Sequence, residues 1–121
     1  MNAVGWFEIY VQDMERAKAF YEAVFGIQLT KLEGTFFEMW AFPMEQDGVG
    51  ASGSLVRIPG YPSGANSVLV YFSCADCQVE LDKVAKSGGQ IETGKQFLGQ
   101  YGCIALVIDT EGNVIGLHSM Q

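Results

Sequence analysis

The chain has little of what most site chemistries need. It carries one histidine, His118, and three cysteines, and its seven bases face fourteen acids for a formal charge of −7. With so few bases and no Lys/Arg cluster, a polyanion finds no complementary face, and no nucleic-acid partner is expected. No apolar run approaches the ~18 to 20 residues that cross a bilayer. The opening MNAVGWFEIYVQD has no basic region and carries Glu8 early, unlike a signal peptide. The expectation is a soluble cytoplasmic protein without a membrane partner. Three cysteines are an odd number and no disulfide framework. Cys74 and Cys77 form a C-x-x-C where a strand gives way to a helix, a place that favours thiolates. Asp76 between them opposes that charge, and zinc would need a second ligand pair that the sequence lacks. What the chain does have is a globular composition: 49% of its 121 residues are hydrophobic. That length suits one compact domain which needs no metal or disulfide to fold.

The informative feature is an internal repeat. Residues 4–26 (VGWFEIYVQD, then MERAKAFYEAVFG) read as strand, aspartate, helix, glycine, and residues 67–89 (SVLVYFSCAD, then CQVELDKVAKSGG) read the same way. Asp13 and Gly26 have the spacing of Asp76 and Gly89. A repeat half a chain long implies two similar modules within one domain, 1–121. Module 1 covers about 1–58, a turn-rich linker 59–66, and module 2 about 67–121.

Phe7, Ile9 and Val11 alternate with Trp6, Glu8, Tyr10 and Gln12, the period of a strand with two unlike faces. Asp13 suits an N-cap, Met14, Ala17, Phe20, Tyr21 and Val24 form a helical stripe, and Gly26 can close the helix in the left-handed conformation. Strands are expected within 27–32, 36–42 and 51–58. In module 2, Val68, Val70, Phe72 and Cys74 share one strand face, and Leu69, Tyr71 and Ser73 the other. Asp76 caps a second helix with the stripe Cys77, Leu81, Val84 and Ala85, ended by Gly88-Gly89. Strands are expected within 90–93, 101–108 and 114–119, with Gly112 at positive φ in the hairpin 109–113. Each half is thus strand, helix and three strands, and one helix covers one face of its sheet. The apolar phase (Phe7, Ile9, Val11; Val68, Val70, Phe72) should face the helices. Trp6, Glu8, Tyr10 and Tyr71 then line a concave groove.

The run VQDMERAKAFYEAVFG, the Gly88-Gly89 helix end and the run DTEGNVIGLH from Asp109 to His118 together resemble the vicinal oxygen chelate superfamily. That superfamily includes glyoxalase I, extradiol dioxygenases, fosfomycin-resistance enzymes and bleomycin-resistance proteins. The resemblance spans essentially the whole chain. It implies an α+β fold in which paired βαβββ modules form a cupped eight-stranded sheet with helices on the convex face, commonly as a homodimer. Metal-using members place His, Glu or Gln ligands in the first and last strands of each module. Carried over, those positions fall at Trp6, Leu69, Gly116 and near Gly53, with Ser52 and Ser54 beside it. None is a competent ligand: indole N–H only donates, Leu and Gly offer no side-chain lone pair, and a neutral serine hydroxyl is poor. No metal and no cofactor are expected.

The ligand-binding candidates are therefore Trp6, Glu8, Tyr10, Tyr71 and His118. The three aromatic rings can stack on a planar or cationic molecule, or can simply fill a space that lost its metal. Glu8, set between aromatics, is a candidate general acid or base. His118, on the face of Gly116, is a candidate catalytic group or a hydrogen-bonded histidine of structural value. Arg57 and Tyr61 lie beside the linker, and Trp40 is of uncertain phase. The reading is a metal-free protein binding a small organic molecule in an aromatic, acid-tinged groove, in the manner the bleomycin-resistance resemblance implies, rather than an enzyme. The rival is a glyoxalase-like or dioxygenase-like enzyme using non-standard ligands or Glu8 and His118. Thiol redox at Cys74 and Cys77 is a third class.

Overall fold

The computed structural model describes residues 2–121. Strand β1 (Phe7–Tyr10) leads to helix α1 (Met14–Phe25), then to β2 (Thr30–Lys31), β3 (Glu38–Ala41) and β4 (Gly53–Arg57). The second module repeats the order with β5 (Val70–Ser73), α2 (Cys77–Val84), β6 (Gln90–Phe97), β7 (Cys103–Ile108) and β8 (Val114–Ser119). The architecture is α+β, built of two βαβββ modules. The eight strands divide into two four-stranded mixed sheets, ordered β1-β4-β3-β2 and β5-β8-β7-β6. In each, the first strand runs parallel to the last and the remaining pairs are antiparallel. No ladder joins the sheets, so β1 and β5 are both edge strands, and side chains close the seam between them.

Local sequence explains the helices. The Asp13 carboxylate accepts from the Arg16 backbone N–H and the Asp76 carboxylate from that of Gln78, each relieving an orphan donor at a helix start. Gly26 ends α1 at φ 63°, a left-handed conformation that a β-carbon disfavours. The expected stripe on α1 is the buried one, Met14 through Val24. On α2, Cys77, Leu81 and Val84 are buried, but Ala85 is exposed. It belongs to a 3-10 turn over Ala85–Ser87, whose tighter winding rotates it off the α-helical face before Gly88 ends the segment at φ 95°.

Both helices share a single core. Ile9, Val11, Phe20, Tyr21 and Leu55 from module 1 cluster with Cys77, Leu81, Val107, Ile115 and Leu117 from module 2. Aromatic rings bridge the seam: Phe72 lies 5.9 Å edge-on from Phe7, 4.6 Å from Phe25 in a stacked pair, and 5.4 Å from Phe42. Trp40 faces the helix side, with Lys18 Nζ 3.3 Å from its ring centroid. Val68 departs from the expected phase. It precedes β5 and is 71% exposed, because the sheet begins only at Val70, which is half-buried.

The β7–β8 hairpin ties the modules together. The buried Asp109 carboxylate accepts from the backbone N–H groups of Glu111 and Asn113 through Oδ1, and from Tyr21 Oη at 2.6 Å through Oδ2. Burial and the adjacent Asp109 charge push the Tyr21 hydroxyl well up, so it serves as a donor. Glu111 reaches into module 1, accepting from the backbone N–H of Gln12 and of Asp13 and from the Arg16 guanidinium at 2.7 Å. Burial opposes its charge, yet the donors from Arg16, Asp13, Gln12 and Thr110 prevail and hold its carboxyl down at about 2. Among the described residues, no helix is long and apolar enough to cross a membrane.

Candidate functional site

The edge strands β1 and β5 and the linker enclose a groove of about 870 Å³. Its position follows from the topology. Two unpaired edges meet at their apolar side, where Phe7 and Phe72 touch, and the opposite phase of each strand is left open. Trp6, Glu8, Tyr10, Leu69 and Tyr71 all line this groove, and Phe7, Ile9 and Val70 of the opposite strand phase, expected only beneath the helices, reach it as well along the open seam. The aromatics remain accessible, with Trp6 39%, Tyr10 38% and Tyr71 45% exposed. Linker residues 62–64 and 66, residues 67 and 68 before β5, residues 2–4, Gly50, Ala51 and residues 113–115 complete the wall. Asn113 Nδ2 also donates to the Tyr10 carbonyl at 2.9 Å, pinning the hairpin to β1.

Glu8 is the only charged residue among the described residues that line the groove. Its Oε2 accepts from Trp6 Nε1 at 3.3 Å, so indole and carboxylate form one unit on the strand face. The Glu8 side chain is exposed, however, and the enclosed setting that the acid–base reading required is not there. His118 stands apart. It shares the strand phase of Gly116 but does not line the groove, because it sits opposite Ser73 near the far end of the pair. Its Nε2 lies 2.7 Å from the Tyr101 carbonyl oxygen, a hydrogen bond that orients the ring toward the loop before β7. Of the five proposed groove residues, four converge and His118 does not.

Three other sequence candidates also resolve by geometry. Arg57 Nε donates to the Gln12 carbonyl at 3.1 Å and does not line the groove. Tyr61 stands at the groove's flank, its ring 5.8 Å edge-on from Tyr10, and its carbonyl accepts from Gln12 Nε2. Cys74, Cys77 and Cys103 are free thiols. Burial and the neighbouring Glu80 carboxylate push Cys74 up to about 12, and Cys77 is fully buried, so neither offers an accessible thiolate.

The register defines the four positions at which the resemblance would place metal ligands. Glu8 pairs with Ser54 in β1–β4, as Tyr71 pairs with Gly116 in β5–β8. The module-1 counterpart of Gly116 is therefore Ser54, one residue on from Gly53. The quartet is Trp6, Ser54, Leu69 and Gly116, which supplies one hydroxyl oxygen and no charged or imidazole donor. These residues do not fit a chelated metal. Tyr71 also occupies the space in question, since a β-carbon at Gly116 would collide with its ring. Among the described residues, no group of three or more His, Cys, Asp or Glu side chains is arranged so that it could hold a metal ion.

Comparison with known proteins identifies the fold's family. The family model described as "Glyoxalase/Bleomycin resistance protein/Dioxygenase superfamily" matches residues 3–117. The chain belongs to that superfamily. Among solved structures it is similar to TnmS3, an antibiotic binding protein from Streptomyces sp. CB03234, at 27% identity and TM-score 0.69, with 98% of this chain and 96% of that one covered. A glyoxalase/bleomycin resistance protein from the same Streptomyces is also 27% identical, with TM-score 0.70 and coverage of 95% and 98%. A glyoxalase-related enzyme from Fulvimarina pelagi shares the fold at 14% identity and TM-score 0.72, with 98% and 88% covered. No curated protein matches the chain. The superfamily thus holds binding proteins and enzymes on one scaffold, and the side chains of the groove have to decide between them.

Proposed function

We propose that this superfamily member binds and sequesters a small, planar or cationic organic molecule in the groove between β1 and β5, without a metal and without catalysing a reaction. The observation that carries this reading is the groove's lining: three accessible aromatic rings, one carboxylate and, among the described residues, no base. Aromatic faces and a carboxylate attract a cation, and the chain's formal charge of −7 adds a field of the same sign. Two cation–π contacts at roughly 0.5–2 kcal/mol each, with apolar burial, support micromolar binding at about −8 kcal/mol. The likeness to TnmS3, an antibiotic binding protein, at 27% identity over nearly the whole of both chains favours the same class of role. The acid–base alternative loses support because Glu8 and His118 do not face the same cavity.

The protein is further proposed to be cytoplasmic and to work as a two-fold homodimer. The outer edge strands β2 and β6 end their sheets unpaired, and Phe36 and Phe37 project from the β2–β3 connection. The test of the binding role is a fluorescence screen of organic cations, neutral aromatics and organic anions with Trp6 as reporter, using Trp6→Phe to subtract the Trp40 signal. Cations are expected to quench Trp6 at micromolar concentration. Equal binding of anions would remove the charge argument and with it the proposed ligand class.

A further inference from the structure

Residues 6–10 and 67–71 line the groove without a break. Successive side chains of a strand point to opposite faces, so an unbroken run lines a cavity only where the backbone edge itself looks into it. The ladders show which groups lie on that edge. Val11 N–H donates to the Val56 carbonyl at 3.0 Å, which fixes Phe7, Ile9 and Val11 as the residues bonded to β4. The backbone N–H and C=O groups of Glu8 and Tyr10 therefore point the other way, toward the seam. Cys74 N–H donates to the His118 carbonyl at 2.7 Å, so Leu69 and Tyr71 turn theirs to the seam from β5. No ladder takes up either edge. Asn113 Nδ2 answers the Tyr10 carbonyl at 2.9 Å, whereas the Tyr10 N–H and the N–H and C=O of Glu8 have no partner among the described residues. The outer edges differ. Strand β2 is two residues long, and β6 carries two register shifts and Lys95, devices by which edge strands avoid pairing. Strand β1 has no bulge, proline or lysine.

We infer that the groove takes its ligand by strand addition: a short, extended, peptide-like compound whose secondary amides pair with the edge of β1 at Glu8 and Tyr10. This rests on the binding role proposed above and names the ligand class for the same groove. An extended amide chain presents N–H and C=O groups at the repeat that an unpaired edge requires. The free edge ends where Asn113 takes the Tyr10 carbonyl, so residues 6–10 accommodate about three to five ligand residues, roughly 10–17 Å of chain. That is an oligopeptide held whole within the groove. A cationic side chain on it meets Glu8, and an aromatic one meets Trp6 and Tyr10.

The test uses nitrogen-15-labelled protein and acetyl-Val-Tyr-Lys-Tyr-Val-amide. Beside it stand two versions N-methylated on alternate residues, one in each phase, and 1-naphthylmethylamine, a planar cation without an amide. The parent peptide is expected to slow hydrogen exchange at the Glu8 and Tyr10 amides. N-methylation in the phase that faces β1 should weaken binding about tenfold, and in the other phase by less than about twofold, as the loss of two hydrogen bonds warrants. Glu8→Pro removes an N–H that no ladder uses, a change an edge strand tolerates. It should weaken the peptide about fivefold more than Glu8→Gln does, yet bind 1-naphthylmethylamine as Glu8→Gln does. Unchanged exchange at Glu8 and Tyr10 under saturating peptide, or equal losses from both N-methylated phases, would overturn the inference. So would a peptide affinity no lower in folded Glu8→Pro than in Glu8→Gln. In each of those outcomes, 1-naphthylmethylamine still binding in the groove removes the ligand class alone, and failure of both compounds removes the binding role as well.

Discussion

Trp6 and Glu8 lie two positions apart on one strand face, and the indole N–H holds the carboxylate toward the groove at 3.3 Å. Because Glu8 is exposed, its attraction for a cation is screened, and Glu8→Gln should weaken cation binding by only about 0.5–1 kcal/mol, a two- to fivefold loss. Neutral aromatic ligands should bind the variant as they bind the parent, and calorimetric titration of both ligand classes checks this. A uniform loss for both would mean that Glu8 shapes the groove rather than charging it. Tyr21 presents the opposite situation. It is fully buried and donates at 2.6 Å to a buried carboxylate, so Tyr21→Phe leaves Asp109 short of a donor. We expect a loss of about 1.5–3 kcal/mol in urea unfolding, with the groove's ligand preference unchanged.

At the scale of elements, the hairpin between β7 and β8 holds the two modules in register. Glu111 keeps its carboxyl at about 2 against an ordinary 4.5, so its contribution to stability is fully present above pH 4.5. It is lost as pH falls through 4.5 toward 2, where the unfolded chain takes up the proton first. The melting temperature should drop across that window, and Glu111→Gln should flatten this part of the profile while costing about 1–3 kcal/mol at neutral pH. An unchanged acid profile in the variant would assign the acid sensitivity elsewhere. Strand β8 makes a second prediction. A β-carbon at Gly116 would collide with the Tyr71 ring, so Gly116→Ala should push Tyr71 off the groove wall at a cost of about 1–3 kcal/mol. Weakened binding of planar ligands together with a lowered melting temperature is the expected outcome, and Gly116→Ala in a Tyr71→Ala background should cost much less.

For the whole molecule, the proposed two-fold dimer is expected to sediment as a single species at about twice the 13.2 kDa chain mass. A dimer of standard interface size should persist at roughly tens of micromolar, and a monomer alone at that concentration would refute it. By itself the sequence determined the order of elements, their caps and the phase of β1, though not that of Val68 or Trp40. Asp13, Gly26, Asp76 and Gly88-Gly89 act through neighbours in the chain, and a period of two places Trp6, Glu8, Tyr10 and Tyr71 on one side whatever surrounds them. It also named the residues at three of the four inherited ligand positions, Trp6, Leu69 and Gly116, whereas the strand register was needed to move the fourth from near Gly53 to Ser54. Only the tertiary structure decided that His118 turns to the Tyr101 carbonyl and away from the groove, since alternation fixes a face but not a distance along it. Only it could reveal that Glu111 binds Arg16 across 95 residues of chain, or that Phe7, Phe25, Phe42 and Phe72 interlock across the seam. Those facts depend on which edges meet at the seam, and that is settled by the packing of both modules on one core rather than by any local run of residues.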